Sequence, residues 1–238
     1  MRCAAAFETM PEGFPVEIHT FPRTIRLVST ARLRLPVLRP LADDDSELAA
    51  LAELEGATSA RLIGQEIGIG GTNPKELLFG TPHAIFINAS FAYAKPRAFS
   101  RFNGPTRGAW YAALALETAR REVLFHMHAF LAATGQFHAT VEYVEMLASF
   151  AGRFVDLRGI DPAPACLHPD QAIGYPAGNA LAEATRSEGL NGIIYPSVRH
   201  VGGTCIVALW PHVVQSVVQG DVYRAIWSGS AEAAFEKA

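Results

Sequence analysis

In the stretch ETARREVLFHMH, Glu122, His126 and His128 have side chains of the types needed for acid–base or electrostatic chemistry. The stretch carries apolar residues at helical spacing, and on a helix His126 follows Glu122 by one turn, so both can line one cleft. His126 and His128 are two positions apart, which on a helix turns them about 200° away from each other, so they cannot bind one metal ion. The sequence therefore predicts no metal site. Glu122 is either a functional carboxylate or one partner of a surface salt bridge.

Common cofactor and nucleophile motifs do not occur in the sequence. The glycines between residues 64 and 73 do not form the GxGxxG of dinucleotide-binding folds, and neither GxxxxGK[ST] nor GxSxG is present. Cys3, Cys166 and Cys205 are far apart and odd in number. They predict neither a CxxC metal site nor a disulfide framework.

Composition limits the class of protein. Half of the 238 residues are apolar and 18% are charged, which is enough apolar material for a core and excludes overall disorder. The net charge of −3 lacks the basic surplus typical of direct nucleic-acid binding. No apolar run approaches the roughly 18 residues of a membrane span, and the first residues do not resemble a signal peptide. We expect a cytoplasmic globular protein with no direct membrane or nucleic-acid contact.

Local patterns predict the elements that position these side chains. Around Glu122 we expect a turn-rich loop, a short strand and a helix, over residues 101–108, 109–114 and 117–134. Upstream we expect a strand from residue 24, a helix over 43–55 and a strand over 84–94. Downstream we expect two strands within 139–157, a helix over 176–188, and strands over 193–199 and 204–210. The last strand is expected to be central. This order predicts a single α/β (α+β) domain with central strands flanked by helices.

An ordered set of short motifs resembles the RES-domain family, which is named for its Arg, Glu and Ser. In chain order the motifs are TIRLVST, SRFNGP, GAWYAA, ETARREVLFH, FVDLRG and GLNGIIYPSVRHVGG. They carry Arg26, Arg101, Asn103, Tyr111, Glu122, Asp156, Arg158, Ser197 and Arg199. The resemblance divides the chain into an N-terminal extension (1–23), a RES domain (24–228) and a C-terminal tail (229–238).

The resemblance implies a fold like that of ADP-ribosyltransferases and a toxin of a bacterial toxin–antitoxin pair that consumes NAD+ without a metal. The first expectation is NAD+ degradation by phosphorolysis or hydrolysis, which arrests growth. The alternative is mono-ADP-ribosylation of a cellular protein, and the third is a catalytically silent partner-binding protein of the same fold. The implied partner is an antitoxin with an Xre-type helix-turn-helix, which would contact DNA and place a segment in the NAD+ cleft. The segment over residues 43–99 is longer than the corresponding segment in compact members of the family, and it is expected to be a lid or a partner surface.

The implied chemistry gives each matched residue a role. Cleavage of the nicotinamide–ribose bond passes through an oxocarbenium-like transition state, which the carboxylate of Glu122 would stabilise. Arg26 and Arg101 would bind the pyrophosphate through their guanidinium groups. Tyr111 would cover the nicotinamide ring, and Ser197 would hydrogen-bond ribose or phosphate. The predicted catalytic residues are Glu122, Tyr111 and Arg101, and the predicted NAD+-binding residues are Arg26, Arg101, Asn103, Tyr111 and Ser197.

Overall fold

The computed structural model describes residues 8–9, 13–32, 72–92 and 99–238. Within these ranges the strands are β1 (Glu8–Thr9), β2 (Pro15–Ser29), β3 (Trp110–Ala113), β4 (His138–Asp156), β5 (Gly192–Pro196), β6 (Thr204–Ala208), β7 (Gln215–Ser228) and β8 (Ala234–Lys237). The α-helices are α1 (Ala84–Ala92), α2 (Leu116–Thr134) and α3 (Gln171–Ser187). Among these residues no helix is both long enough and apolar enough to cross a bilayer.

All strands of the described part join one sheet, in the order β1-β2-β3-β6-β5-β4-β7-β8. Neighbours are antiparallel except β4 and β5, which run parallel. The long strand β4 also pairs with β2, so the pairings β2–β3–β6–β5–β4–β2 form a closed circuit. The predicted class, a single mixed α/β domain with central strands flanked by helices, is confirmed. Strand β6 is central, as predicted, whereas likeness to the ADP-ribosyltransferase fold stays a prediction.

Strand alternation divides the apolar side chains between the two faces of the sheet. On the first face, Ala119 and Leu131 of α2 and Leu181 of α3 join the core. On the second face, Ile87 and Phe91 of α1 join a separate core. The first two residues of β3 likewise lie on opposite faces of the sheet. Trp110 lies in the second core, and Tyr111 packs against the first, on the side where α2 and α3 lie.

The elements around Glu122 agree with the sequence, since β3 and α2 match the strand predicted over 109–114 and the helix predicted over 117–134. The strand predicted over 84–94 is wrong, because residues 84–92 form helix α1. This segment is apolar on nearly every side, so it carries no helical periodicity and its β-branched and aromatic residues suggest a strand. Helix α1 is stabilised by the burial of its apolar residues and by the side chain of Asn88. That amide accepts from Leu78 N at 2.9 Å and donates to Leu78 O at 2.7 Å.

Two strand predictions also differ from the structure. Residues 138–156 form one strand instead of two, and its internal glycine, Gly152, makes room for Asn191 rather than for a turn, since a Cβ there would lie 2.3 Å from Asn191 Oδ1. Strand β2 begins at Pro15, so it crosses the boundary predicted after residue 23, and Pro22 falls where its register with β4 shifts. Proline has no N–H to donate and is tolerated at such an irregularity.

Residues of both predicted terminal segments therefore enter the sheet, since β8 lies within 229–238. The division into extension, domain and tail stays a prediction. The helix predicted over 43–55 lies outside the described residues, and so does most of the 43–99 segment. The described stretch 72–92 packs on the second face of the sheet, through residues that include Leu78, Ile87 and Phe91.

Asp156 at the end of β4 supports a prediction about acid stability. Its carboxylate is buried and accepts from Arg158 N and Nε, both at 2.9 Å. Burial raises the pKa of Asp156, but the hydrogen bonds from Arg158 outweigh it, and the pKa lies below its ordinary value of 3.8. The unfolded chain therefore binds this proton at higher pH than the folded one. The stabilisation is present above pH 3.8 and is lost as pH falls through the lower, folded-state pKa.

We expect Asp156→Asn to lower the free energy of unfolding at pH 7 by about 1–3 kcal/mol, because the donors of Arg158 lose a buried, charged acceptor. Urea unfolding followed by circular dichroism measures this change. Below pH 4, the free energy of unfolding should also fall less steeply for the variant than for the wild type. Glu142→Gln, which breaks an exposed ion pair with Arg224, is the control and should change stability by less than about 1 kcal/mol. Equal effects of the two substitutions would refute the role of Asp156.

Candidate active site

A small pocket opens on the first face of the sheet, between α2, α3 and the ends of β3 and β5. Its lining residues come from distant parts of the chain and are Ser100, Arg101, Tyr111, Glu122, His126, Tyr175, Tyr195 and Arg199. The structure thus brings together all three predicted catalytic residues.

Glu122 projects from α2 toward the turn that follows β5. Ser197 Oγ donates to its Oε1 at 2.7 Å, and Cys205 Sγ, on β6, lies 3.7 Å from the same oxygen. Ser197 Oγ in turn accepts from the backbone N–H of Arg199 at 3.2 Å and of His200 at 3.0 Å. The hydroxyl is therefore fixed by the turn, and its proton is directed at the carboxylate. This contact makes Ser197 a positioning residue for Glu122.

Arg101 lies in the loop before β3 and is buried. Its Nη1 donates to Cys166 O at 2.5 Å and to His168 O at 3.1 Å, and its guanidinium lies 5.5 Å from the ring of Tyr175. Helix α3 approaches this loop closely because Gly178 has no side chain, since a Cβ there would lie 2.0 Å from Arg101 O. The sequence thus holds a permanently charged group at the pocket wall.

Tyr111 and Asn103 form one unit. The Tyr111 hydroxyl accepts from Phe102 N and donates to Asn103 Oδ1, both at 2.9 Å. Burial raises the pKa of Tyr111, so the phenol is neutral at physiological pH. Its hydroxyl holds the loop while its ring lines the pocket. Asn103 is buried beside the pocket and does not line it.

Arg26 is the predicted site residue that the structure does not bring to the pocket. Its neighbours Ile25 and Leu27 belong to the first core, so alternation directs Arg26 to the opposite face. There its guanidinium lies 4.7 Å from the ring of Trp110, in the second core. The role of Arg26 in NAD+ binding stays a prediction that the pocket geometry does not support.

The two histidines of α2 diverge as helical geometry predicts. His126 lines the pocket at its rim, whereas His128 faces Ala231 O at 3.4 Å and the ring of Phe137. Desolvation lowers the pKa of His126, and the charge of Glu122 opposes this shift. The guanidinium groups of Arg199 and Arg101 lower it further. A neutral imidazole at pH 7 follows from these contributions.

Tyr175, Tyr195 and Arg199 line the pocket, and the sequence predicted no role for them. Tyr175 lies outside the matched motifs, whereas Tyr195 and Arg199 belong to the motif GLNGIIYPSVRHVGG. Away from the pocket, Glu17, His19 and Asp156 bring three possible ligand atoms within 4.8 Å of one another. Arg158, which is paired with Asp156, already supplies a cation there.

Removing the Ser197 hydroxyl tests the Glu122 contact. We expect Ser197→Ala to lower the turnover number about 10-fold with little change in KM, because the carboxylate loses one charge-assisted hydrogen bond and its fixed orientation. Nicotinamide release from NAD+ at saturating substrate measures this. Ser230→Ala, at an exposed serine that bonds Glu232 O, is the control and should keep full activity. A variant with wild-type turnover would show that the contact does not orient Glu122.

The protein thus has a mixed α/β fold and a pocket in which one carboxylate lies among guanidinium groups and aromatic rings. The sequence model of the RES domain matches residues 77–228. The chain therefore belongs to the RES-domain family, as the sequence motifs indicated. At the level of the family, RES domains have NAD-related enzymatic activity in toxin–antitoxin systems, and members pair with an antitoxin. Arg101, Tyr111, Glu122 and Ser197 lie within the matched range, and Arg26 lies outside it. No curated protein matches this chain significantly.

Proposed function

We propose that this protein is the toxin of a toxin–antitoxin pair and that it cleaves the nicotinamide–ribose bond of NAD+. The observation that carries the proposal is the placement of Glu122. A carboxylate oriented by Ser197 shares one pocket with Arg101 and the ring of Tyr111. A negative charge beside a ribose favours a transition state in which that ribose becomes cationic.

The carboxylate has two distinct sides. In the described part of the chain, Ser197 and Cys205 both contact Oε1 of Glu122. A ribose hydroxyl can therefore donate its hydrogen bond to the other carboxylate oxygen, Oε2. Burial, and next the charge of Glu122, raise the pKa of the Cys205 thiol, which therefore stays protonated. Cys205 is thus a weak donor to Glu122 rather than a nucleophile.

In the reaction, the bond between ribose C1′ and the nicotinamide nitrogen breaks, and its electron pair leaves with nicotinamide, which becomes neutral. An oxygen of the acceptor supplies the pair for the new bond to C1′. With water or phosphate as acceptor, the displaced proton goes to solvent. Tyr111 and Tyr175 provide aromatic surface for the flat, cationic nicotinamide ring before cleavage.

The acceptor is identified by mass spectrometry of the products, with and without inorganic phosphate. We expect ADP-ribose phosphate in phosphate buffer and ADP-ribose without it, which defines NAD+ degradation. Transfer of ADP-ribose to added cell proteins, with no free product, would instead establish the mono-ADP-ribosyltransferase alternative. Intact NAD+ under every condition would contradict the proposal and favour a partner-binding protein of this fold.

The proposal includes a cognate antitoxin with an Xre-type helix-turn-helix that occludes the pocket. The pocket holds two arginines and one glutamate in a chain of net charge −3, so an acidic segment or a chain terminus of the antitoxin can imitate a phosphate there. We expect expression of the toxin alone to deplete NAD+ and arrest growth, and co-expression to restore both. A complex that binds NAD+ as tightly as the free toxin would contradict occlusion, whatever the growth result.

A further inference from the structure

The pocket contains a second guanidinium group that the proposed chemistry does not yet use. Arg199 lies on the turn after β5 and lines the pocket with Arg101. Against these two cations the described pocket residues offer one carboxylate, Glu122. The pocket is therefore cationic within a mildly acidic chain, and such a cleft concentrates anions.

The two arginines differ in how they are held. Arg101 is buried, with Nη1 fixed by two backbone carbonyls. Arg199 is half-buried at the outer part of the pocket, and its guanidinium lies 3.6 Å from the centroid of the Phe125 ring. Its Nη2 donates to Pro169 O at 3.2 Å, and its side chain also hydrogen-bonds Tyr175. These contacts orient the group while engaging only part of its five N–H donors.

The backbone of Arg199 is tied to the carboxylate. Arg199 N donates to Ser197 Oγ, which donates to Glu122 Oε1. One short turn therefore fixes the backbone of Arg199 relative to the reacting carboxylate. Arg26, the residue predicted to share phosphate binding with Arg101, lies instead on the opposite face of the sheet beside Trp110.

We propose that Arg199 binds the pyrophosphate of the dinucleotide and selects phosphorylated over unphosphorylated nicotinamide substrates. The inference rests on the proposed function. A guanidinium that is permanently charged and held flat on an aromatic ring presents its planar fork to phosphate oxygens with little loss of side-chain freedom. With the ribose at Glu122, Arg199 is a guanidinium group on the wall of the same pocket that the phosphates of the dinucleotide can reach.

Two substrates that differ in phosphate separate this role from a structural one. Nicotinamide riboside has the same scissile bond as NAD+ and no phosphate. For Arg199→Gln we expect kcat/KM on NAD+ to fall on the order of 10- to 100-fold, and kcat/KM on nicotinamide riboside to stay within about 2-fold of wild type. Arg199→Lys keeps the charge and should show an intermediate loss on NAD+ alone. Arg224→Gln, which removes an arginine from an exposed pair with Glu142, is the matched control and should change neither value.

Equal losses on both substrates for Arg199→Gln and Arg199→Lys would overturn the inference, because they would mean that Arg199 acts by shaping the turn that holds Ser197. Full activity of both variants on NAD+ would overturn it as well. In either case wild-type cleavage of NAD+ would leave the proposed function standing. If the wild-type protein releases nicotinamide from neither substrate, the proposed function fails and the inference fails with it.

Discussion

Glu122→Gln is expected to keep the fold and to lower the turnover number for nicotinamide release on the order of 100-fold or more. The side chain is half-buried, and glutamine has nearly the same shape. Ser197 Oγ can still donate to the amide oxygen in place of Oε1. What disappears is the negative charge beside the ribose, and that charge acts mainly in the transition state. Steady-state assays at saturating NAD+, with thermal unfolding followed in parallel, measure both parts of the expectation.

The matched control is Glu117→Gln on the same helix. Glu117 accepts from Arg120 and Arg121 near the start of α2, outside the pocket. Its hydrogen bonds with Arg120 contribute most to lowering the pKa of Glu117 to about 2, so the substitution removes a real ion pair without touching the site. We expect turnover within about 2-fold of wild type, since such a pair contributes little to stability and nothing to the chemistry. Near wild-type turnover in Glu122→Gln, or an equal loss in Glu117→Gln, would remove Glu122 from the reaction.

Arg101→Lys should weaken NAD+ binding by about 10-fold or more although it retains the positive charge. A lysine carries one ammonium group and cannot both satisfy the carbonyls of Cys166 and His168 and present a second donor edge to the pocket. The same change should lower the free energy of unfolding by about 1–3 kcal/mol, because buried carbonyls lose a charged donor. Calorimetric titration with NAD+, using the Glu122→Gln background to prevent turnover, measures the affinity.

Arg121→Lys provides the comparison, since its guanidinium is exposed and pairs with Glu117 away from the pocket. It should alter neither affinity nor stability measurably. If Arg101→Lys binds NAD+ as the parent does while losing stability, Arg101 has a purely structural role. Phosphate contacts would then have to come from Arg199.

The local part of the site was predictable because it is continuous in the chain. A loop, a short strand and a helix carry Arg101, Tyr111 and Glu122 within 22 residues, and both regular elements have clear periodicity. The part of the site that comes from later in the chain was not predictable in the same way. Tyr175, Tyr195 and Arg199 reach the pocket only through tertiary packing of α3, β5 and the turn after β5, which no local pattern encodes.

The placement of Arg26, whose predicted role the pocket geometry does not support, and one error in a predicted helix have specific physical causes. Arg26 was assigned to the site by its motif, but side chains alternate along a strand, and its two neighbours occupy the face on which the pocket opens. The helix that corresponds to α3 was predicted to begin at residue 176. The helix begins at Gln171, where the Asp170 side chain caps it by accepting from Ala172 N at 2.9 Å, and Pro176 lies inside it. Tyr175 therefore fell outside the predicted helix.

The most direct test of the account is the fate of NAD+ mixed with the purified protein, followed by proton NMR of the nicotinamide ring. The account predicts loss of NAD+ with release of an equal amount of free nicotinamide by the wild-type chain, and at least about 100-fold slower release by Glu122→Gln. A folded wild-type protein that binds NAD+ and leaves it intact, with and without phosphate and in the presence of cell extract, would contradict the account.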